Sequence, residues 1–306
     1  MTKTAFISHP DCLLHEMGSM HPEQPARITA IKSHLQQQGL WEKLQIIEAE
    51  KAEDKELAQT HSPDYVSSIR AAAPEYGEVS LDPDTSMNPH SLNAALYAAG
   101  GAILATDLVL EGKINNAFCC VRPPGHHAEK NRVMGFCLFN NVAVAAHHAL
   151  AKGIKRVAIL DFDVHHGNGT EDIFLKDERV LFCSTFQHPY YPFSSLESSR
   201  AGIIKSPLEA GAGSEEFRNA VTNDWLPALE SFKPEMIFVS AGFDAHEDDF
   251  LASLNFTDDD YQWVTQIIKK AAEKHAKGRI VSCLEGGYNL DSLGRGAAAH
   301  IAELLK

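Results

Sequence analysis

Two adjacent histidines, His126 and His127, follow a proline pair and a glycine in the stretch RPPGHHAEK. Two neighbouring imidazoles can hardly both point into an ordinary apolar core, so we expect them to face a polar site. A second polar run, LDFDVHHGNGT, carries Asp161, Asp163 and His165 at alternating positions. Because residues two apart in a strand project to the same face, the two carboxylates share a face, with His165 near it as the chain turns. Such a set is typical of a metal site.

Asp244, in the run SAGFDAH, also follows an apolar strand and is the natural third ligand. Zinc takes aspartate oxygen and histidine nitrogen at about 2.0–2.2 Å, and three protein ligands leave one position open for water. The same oxygen-rich set also suits iron, manganese or cobalt. We therefore predict a metal site made of Asp163, His165 and Asp244, with zinc as the favoured ion.

Short apolar runs that are typical of buried strands must position these residues. They are TAFIS (4–8), AFCCV (117–121), RVAILDF (156–162), RVLFCSTF (179–186), EMIFVSA (235–241) and RIVSCLE (279–285). Four of these runs lead directly into the polar segments RPPGHH, DVHHGNGT, GFDAH and GGYN. Open parallel sheets place their active sites at the carboxyl ends of the strands. We therefore expect His, Asp and Tyr side chains to meet at one edge of the sheet.

Longer stretches with helical spacing, such as SLNAALYAAGGAILATDLVLEG and SEEFRNAVTNDWLPALESF, separate the strands. This alternation predicts an α/β fold, a single domain over residues 1–306 with a central parallel sheet and helices on both faces. Thr257 and Asp260 have the spacing of a capping box at a helix start. The least regular stretches, around 74–90 and 187–213, are expected to be loops.

Composition narrows the class of protein. With 27 basic and 41 acidic residues the formal net charge is −14, which disfavours nucleic acid as a partner. No apolar run approaches the roughly 20 residues that cross a bilayer, so no membrane association is expected. The six cysteines show no C-x-x-C spacing and suit apolar positions in a reducing compartment. The stretch MTKTAFISHPDC lacks the charged and apolar regions of a secretory signal, so we expect a cytoplasmic protein.

The motifs taken together resemble those of histone deacetylases, closest to the class II branch of the arginase–deacetylase superfamily. They are HPEQPARI (21–28), HSPDYV (61–66), RPPGHHAE (122–129), GFCLFNNVAVAA (135–146), DFDVHHGNGT (161–170), SAGFDAH (240–246) and LEGGYNL (284–290). The resemblance implies an arginase-like α/β domain that uses zinc to remove an acyl group from an amine. The acyl group would most readily be acetyl, and the amine would be the lysine side chain of proteins or peptides.

The resemblance also implies roles for the clustered residues. Asp163, His165 and Asp244 would hold the zinc ion. His127 would take a proton from the attacking water and then protonate the leaving amine, while Asn168 would orient the His127 ring.

Three further residues complete the implied catalytic set. His126, hydrogen-bonded to Asp161, would stay largely cationic and stabilise charge. The hydroxyl of Tyr288 would donate to the developing oxyanion. The two glycines before Tyr288 would let its backbone swing or turn tightly.

A structural monovalent cation, usually potassium, is also implied behind the zinc site. Its ligands would be Asp161, the backbones of Asp163 and His165, the Ser184 hydroxyl and the Thr185 carbonyl. A second such site would use main-chain oxygens near Phe174, Asp177 and Val180.

For the substrate, the resemblance implies a narrow channel. Phe136, after Gly135, would wall the aliphatic stem of the substrate, with Tyr191 on the opposite wall. Asp84 would accept hydrogen bonds from the substrate backbone, or else only cap its own turn. Leu251 stands where relatives that act on polyamines carry an acidic gatekeeper, although a shift of register would bring in Asp248 or Asp249.

Three other functions share parts of this pattern. An acetylpolyamine amidohydrolase would use the same catalytic residues on acetylated polyamines. A ureohydrolase relative with paired manganese ions would hydrolyse a guanidinium group, but the GHH pair and the GGY tyrosine have no role in that reaction. An acyl-amine binding module without activity is disfavoured because every catalytic position holds the expected residue type.

Overall fold

The structure is a computed structural model that describes residues 2–197 and 200–306. Its centre is a parallel eight-stranded sheet, and a separate two-stranded hairpin lies beside it. In chain order the strands are β1 (Thr4–Ser8), β2 (Gln45–Glu48), β3 (Val79–Asp82), β4 (Thr85–Met87), β5 (Asn116–Cys119), β6 (Val157–Asp161), β7 (Val180–Gln187), β8 (Ile203–Leu208), β9 (Met236–Ala241) and β10 (Ile280–Leu284).

The strands of the large sheet run in the order β2-β1-β5-β10-β9-β6-β7-β8. All neighbouring pairs are parallel. The four central strands are buried along their whole length, as expected for a parallel sheet that is covered on both faces. Asp161 at the end of β6 is in register with Ser184 on β7 and Ser240 on β9.

Helices connect the strands and cover the sheet. They are α1 (Ala26–Gln37), α2 (Asp54–Leu57), α3 (Pro63–Ala72), α4 (Ser91–Leu110), α5 (Asn141–Ala151), α6 (Asn168–Phe174), α7 (Ser214–Ala220), α8 (Leu226–Phe232), α9 (Asp258–His275) and α10 (Leu290–Leu304). A π-helical turn, Val221–Trp225, joins α7 to α8. The predicted capping box of Thr257 and Asp260 is confirmed at the start of α9.

Neighbouring residues of β5 show that the helices form two layers. Successive side chains of a strand point to opposite faces. The ring of Phe118 contacts His300 of α10 at 5.7 Å between centroids, whereas the Cys119 Sγ lies 3.6 Å from the Gly101 carbonyl of α4. The sheet is therefore covered by α4 on one face and α10 on the other, which confirms the predicted fold class.

Helix α4 corrects one expectation from the sequence. Its 20 residues are apolar enough to span a membrane by length and composition, yet 67% of its most apolar window is buried inside the protein. Gly100 lies so close to the backbone that a Cβ there would sit 1.9 Å from the Glu50 carbonyl oxygen. This packing shows α4 as a core helix, which explains why it is apolar on every side.

The two stretches expected to be loops contain strands. Residues 74–90 include the antiparallel hairpin of β3 and β4, and residues 187–213 include β8 at the edge of the sheet. Both were missed because neither shows a continuous apolar run. The strand β8 carries Lys205 and Pro207, and proline is tolerated in a strand mainly at a sheet edge.

Candidate active site

The carboxyl ends of the four central strands bring the predicted residues to one edge of the sheet. The loop with the histidine pair follows β5, and Asp161, Asp163 and His165 lie at or just after the end of β6. Asp244 follows β9 and Tyr288 follows β10. Since β5, β10, β9 and β6 are consecutive in the sheet, the four segments lie side by side.

The predicted metal ligands form a compact buried group. Within the described ranges, Asp163, His165 and Asp244 can offer ligand atoms that all lie within 4.8 Å of one another. The Nδ1 of His165 lies 3.0 Å from Asp163 Oδ1 and 3.2 Å from Asp244 Oδ2. A tetrahedral zinc site with bonds of about 2.0–2.1 Å has ligand atoms roughly 3.3–3.4 Å apart. The spacing therefore fits a small divalent ion.

Backbone amides hold the two carboxylates in place. Asp163 Oδ2 accepts a hydrogen bond from the Gly286 amide at 2.8 Å, and Asp244 Oδ1 accepts one from the Val164 amide at 2.9 Å. Asp244 Oδ2, in contrast, is buried without a hydrogen bond of acceptable geometry. A buried carboxylate oxygen without a donor is costly unless a cation satisfies it, so the donor set fits a metal ion.

The pKa values of Asp244 and His165 also indicate that this buried group would be stabilised by a cation. Burial and the neighbouring Asp163 carboxylate raise the pKa of Asp244 to about 6. Burial lowers the pKa of His165, but the neighbouring carboxylates of Asp163 and Asp244 outweigh burial and raise the pKa to about 9. Both shifts arise because negative charge is concentrated in a buried space.

The two adjacent histidines have different partners. His126 Nδ1 lies 2.9 Å from Asp161 Oδ2, whereas His127 Nδ1 lies 2.7 Å from Asn168 Oδ1. The Asn168 amide nitrogen donates to Glu129 Oε1 at 2.9 Å, which fixes the orientation of the amide. The Asn168 oxygen can only accept, so His127 carries its proton on Nδ1 and leaves Nε2 unprotonated.

These partners separate the pKa values of the two rings. Burial lowers the pKa of His126, but the carboxylates of Asp161, Asp163 and Glu285 outweigh it and raise the pKa well above its ordinary value. Burial and the positive charges of His126 and His165 hold the pKa of His127 well below its ordinary value. The surroundings therefore favour the cation at His126 and the neutral ring at His127.

Tyr288 lies in a tightly held turn. Gly287 before it adopts φ +122°, a conformation that favours glycine. The Gly287 carbonyl accepts a hydrogen bond from Arg27 Nε at 2.6 Å, and the Arg27 guanidinium lies 5.1 Å from the centre of the Tyr288 ring. Burial raises the pKa of Tyr288 well above its usual range, so the hydroxyl stays protonated. Gly287 thus provides the tight turn that was one of the two predicted roles of this glycine pair.

A narrow cavity of ≈ 180 Å³ leads to these groups. Its lining includes all five residues predicted to contact substrate, together with His127, His165 and Tyr288. It also includes Tyr190, which was not predicted from the sequence. The predicted five are Asp84, Gly135, Phe136, Tyr191 and Leu251.

Aromatic rings form the walls of the cavity. The Phe136 ring meets the Tyr288 ring edge-on at 5.9 Å, and the Tyr191 ring meets the His127 ring edge-on at 5.3 Å. Gly135 adopts φ +59°, and a Cβ there would lie 2.3 Å from the His127 ring. Glycine at this position therefore lets the channel wall approach the histidine.

Asp84 sits both in its own turn and at the channel. Its Oδ1 accepts hydrogen bonds from the Thr85 hydroxyl at 2.8 Å and from the Gly135 amide at 3.1 Å. Burial, together with the Asp84 carboxylate, raises the pKa of Tyr191 above its usual range. The structure therefore shows the contact of Asp84 with its own turn and with the channel wall, and a contact with the substrate backbone stays a prediction.

The residues expected to hold the first monovalent cation lie together behind the metal ligands. Asp161 is buried and in register with Ser184. Burial raises the pKa of Asp161 to about 6, although His126 beside it lowers it. A nearby cation would offset part of this burial cost, and a cation at Asp161, Ser184 and Thr185 stays a prediction.

The second expected cation set does not fit. The Arg200 guanidinium donates hydrogen bonds to the Phe174 carbonyl at 3.2 Å and to the Val180 carbonyl at 2.5 Å. Two of the three carbonyl positions predicted to bind a metal ion therefore already contact a positively charged side chain.

A larger cavity of ≈ 620 Å³ lies at the opposite edge of the sheet, near the amino ends of β6, β7 and β9. Its lining includes Arg156, Glu178 and Lys233, but it contains none of the grouped metal ligands, histidines or tyrosines described above. Chemistry, rather than size, therefore identifies the smaller cavity as the candidate active site.

Several buried charged residues behind the site were missed from the sequence. Glu285 Oε2 accepts hydrogen bonds from the amides of Gly125 at 2.7 Å and His126 at 3.1 Å, which fixes the backbone of the histidine pair. Glu23 forms a fully buried ion pair with Arg27 at 3.0 Å and with Arg122. All lie inside the quoted motifs, but their roles depend on partners that are distant in the chain.

Comparisons with known proteins identify relatives that are described as deacetylases or amidohydrolases. A family profile described as "Histone deacetylase domain" matches residues 21–304. A histone deacetylase-like amidohydrolase of Pseudomonas aeruginosa is 38% identical, over 94% of this chain and 82% of the relative. A "Probable deacetylase" of Archaeoglobus fulgidus is 37% identical over the same shares.

Two further similarities extend the range of relatives. The polyamine deacetylase HDAC10 of Mus musculus is 34% identical, over 99% of this chain and 48% of the relative. The crystal structure of the HDA15 HD domain superposes with a TM-score of 0.93 at 34% identity, over 99% of this chain and 88% of that chain. The profile match over most of the chain and the similarity to several family members lead to one conclusion: this chain belongs to the histone deacetylase family.

Proposed function

We propose that this protein is a zinc-dependent amidohydrolase that removes an acyl group, most readily acetyl, from lysine side chains of proteins or peptides. The observation that carries the proposal is the narrow aromatic channel, which passes the apolar side chain of Leu251 and reaches His127, His165 and Tyr288. An acyl-lysine has a matching shape, because an uncharged amide lies at the end of an aliphatic stem.

The metal and His127 would act together on water. A zinc ion held by Asp163, His165 and Asp244 would polarise the acyl carbonyl and lower the pKa of a water molecule. The Nε2 of His127 is free to accept a proton, because the proton of the neutral ring lies on Nδ1, which donates a hydrogen bond to Asn168. Nε2 would accept a proton from the water as the water oxygen bonds to the acyl carbon. The same proton would pass to the amine as the C–N bond breaks.

Two other groups would stabilise the negative charge that develops on the acyl oxygen. His126 stays cationic because it contacts Asp161 at 2.9 Å, so it places a fixed positive charge beside the reacting atoms. The Tyr288 hydroxyl stays protonated and can donate a hydrogen bond to that oxygen. Neither group needs to give up its proton in this scheme.

The rim supports lysine over polyamines as substrate. The polyamine deacetylase among the relatives makes an acetylpolyamine the alternative substrate. However, Leu251 carries no charge at the predicted gatekeeper position, and the two acids that a shift of register would bring there are already engaged. Asp248 pairs with Arg295 at 2.7 Å, and Asp249 accepts from three backbone amides. Neither of these two acids therefore offers a free carboxylate to the distal ammonium of a polyamine.

We also propose that the protein is cytoplasmic and that a potassium ion binds at Asp161, Ser184 and Thr185. Six buried, unpaired cysteines support a reducing location. Cation binding is supported by the buried Asp161 carboxylate.

The test compares kcat/KM for an acetyl-lysine peptide, a longer-chain acyl-lysine peptide and acetylspermidine at equal concentrations, before and after chelation. We expect the acetyl-lysine peptide to be preferred, activity to be lost on chelation, and zinc to restore it. Far better turnover of acetylspermidine than of either peptide would replace lysine with a polyamine as the substrate. Full activity after complete removal of the metal would exclude the zinc mechanism.

Substitution of Leu251 tests the rim directly. Leu251→Glu should raise kcat/KM for acetylspermidine relative to peptide, because a carboxylate at the rim can pair with the distal ammonium. A partly desolvated pair of this kind contributes on the order of 1–3 kcal/mol, or roughly 5- to 150-fold. Leu251→Gln is the matched control, since it adds polarity without charge and should leave the ratio near that of the wild type. An equal effect of both variants would contradict the role of charge.

A further inference from the structure

The carboxylate of Asp249 is buried in the loop that follows β9, with 6% of the residue exposed. Its Oδ2 accepts hydrogen bonds from the amides of Tyr288 at 2.6 Å and Asn289 at 2.9 Å. Its Oδ1 accepts a third from the amide of Leu251 at 3.0 Å. Within the described residues, no basic side chain lies within ion-pair distance of it. Backbone amides thus provide the observed compensation for this buried charge.

Asp249 and Arg27 both hold the segment that carries Tyr288. Arg27 donates to the carbonyls of Glu285 and Gly287, so it holds the turn before Tyr288. Asp249 accepts from the amide of Tyr288 itself. Because Cα and the ring follow directly from that amide, a shift of Asp249 would displace the Tyr288 hydroxyl.

The same carboxylate also connects Tyr288 to the rim of the channel. Leu251, whose amide binds Oδ1, lines the cavity, and its carbonyl accepts a hydrogen bond from the Tyr190 hydroxyl. Tyr190 in turn stacks on His165 at 5.6 Å between ring centroids. One carboxylate thus links the rim, a channel wall and the oxyanion donor.

We propose that Asp249 is a positioning residue that sets the distance between the Tyr288 hydroxyl and the reacting acyl group. The inference rests on the proposed function, because it requires Tyr288 to act as the oxyanion donor. An aspartate is required since both oxygens accept. In asparagine an NH2 group replaces one of the two oxygens. This donor would face one or two backbone N–H groups, which are also donors, so their hydrogen bonds would be lost.

The experiment is a double-mutant cycle on the metal-loaded, full-length protein. Asp249→Asn and Tyr288→Phe are made singly and together, and kcat and KM are measured with an acetyl-lysine peptide. We expect Asp249→Asn to lower kcat by about tenfold or more, with a smaller change in KM, because a misplaced hydroxyl weakens transition-state binding more than substrate binding. In the Tyr288→Phe background the same substitution should change kcat less than about twofold, because no hydroxyl is left to misplace.

Asp248→Asn is the matched control. Its carboxylate is half exposed and pairs with Arg295, so its loss should leave kcat within about twofold of wild type. Asp249→Glu serves as a second variant should the asparagine variant fail to fold, as judged by circular dichroism and metal content. It keeps the charge but lengthens the side chain, so it should also misplace the Tyr288 hydroxyl. We expect it to lower kcat when Tyr288 is present and to change kcat little in the Tyr288→Phe background.

The outcomes separate this inference from the function it rests on. Equal losses in both backgrounds, or no loss in either, would overturn the positioning role of Asp249 and leave the proposed function intact. No loss from Tyr288→Phe alone would instead remove Tyr288 as the oxyanion donor, and with it the basis of the inference.

Discussion

The two adjacent histidines differ because their Nδ1 atoms contact different groups. A carboxylate beside His126 favours the cation, and a neutral amide beside His127 does not. Two identical side chains in one buried site can therefore perform two tasks, one as a fixed charge and one as a proton carrier.

This difference predicts unequal losses on truncation. His127→Ala should lower kcat by about 10²–10⁴-fold, the usual contribution of general acid–base catalysis. His126→Ala should lower it less, because it removes a stabilising charge but leaves the proton carrier. Steady-state kinetics on variants with equal metal content would measure both, and a larger loss from His126→Ala would show that the roles are exchanged.

Local side-chain patterns allowed the metal ligands and the histidine pair to be predicted. Their residue types and their spacing at strand ends are visible in the sequence. The contacts of Asp249 and Glu285 could not be predicted. Asp249 binds a backbone amide 39 positions away in the chain, and Glu285 binds one 160 positions away. Every residue has an amide, so such partners leave no signature in the sequence.

At the scale of elements, the presence of the central strands was predictable but their order was not. Apolar runs identified β5, β6, β9 and β10, whereas the order β5-β10-β9-β6 depends on how the connecting helices cross the sheet. This order is what brings segments after residues 119, 161, 241 and 284 together. The edge strand β8 and the hairpin were missed because polar residues interrupt their apolar ones.

The connection from α6 to β7 offers a test at this scale, because Arg200 binds the Phe174 and Val180 carbonyls there. Arg200→Gln should destabilise the protein by about 1–2 kcal/mol, since hydrogen bonds from a partly exposed charged donor are lost. The freed carbonyls should then bind potassium. We therefore expect the melting temperature of the variant to depend more strongly on potassium than that of wild type. Each kcal/mol of stabilisation by potassium should raise the melting temperature by about 2–4 °C.

The comparison is made in potassium and in tetramethylammonium buffers, by thermal denaturation. Arg179→Gln is the control, because Arg179 is mostly exposed and pairs only locally with Asp177. The same potassium dependence in wild type and Arg200→Gln would mean that the carbonyls do not form a cation site even without Arg200.

At the scale of the whole molecule, one buried cluster of charges joins the N-terminal region to the active-site loops. Glu23 pairs with Arg27 and Arg122, and Arg122 also donates to the carbonyls of Cys12 at 2.7 Å and His15 at 3.0 Å. Arg27 continues the cluster to the turn before Tyr288. The cluster around the Glu23 carboxylate thus connects segments more than 250 residues apart in sequence.

Glu23 should therefore control part of the acid stability. Burial raises its pKa, but Arg122 and Arg27 outweigh burial and lower the pKa to about 2, against an ordinary value of 4.5. A group with a lowered pKa in the folded state stabilises it fully above about pH 4.5, and this contribution is lost as the pH falls towards 2. The shift corresponds to about 3 kcal/mol.

Glu23→Gln should accordingly be about 3–5 kcal/mol less stable than wild type at pH 7, since it leaves two buried arginines without their partner. The difference should shrink as the pH falls from 5 to 3. Urea denaturation at several pH values measures it, with exposed Glu16→Gln as the control. A difference that stays constant over this range would contradict the lowered pKa of Glu23.

The edge strands of the large sheet, β8 and β2, also affect the association of one molecule with another. An open sheet edge can pair with a strand of a second chain and start aggregation. In β8, Pro207 has no amide hydrogen to donate, and the Lys205 ammonium is nearly buried in a salt bridge with Glu171 at 2.7 Å. At the other edge, β2 is only four residues long and ends in Glu48. Neither edge is a good template for adding a strand, so the large parallel sheet does not make this protein prone to intermolecular β-pairing.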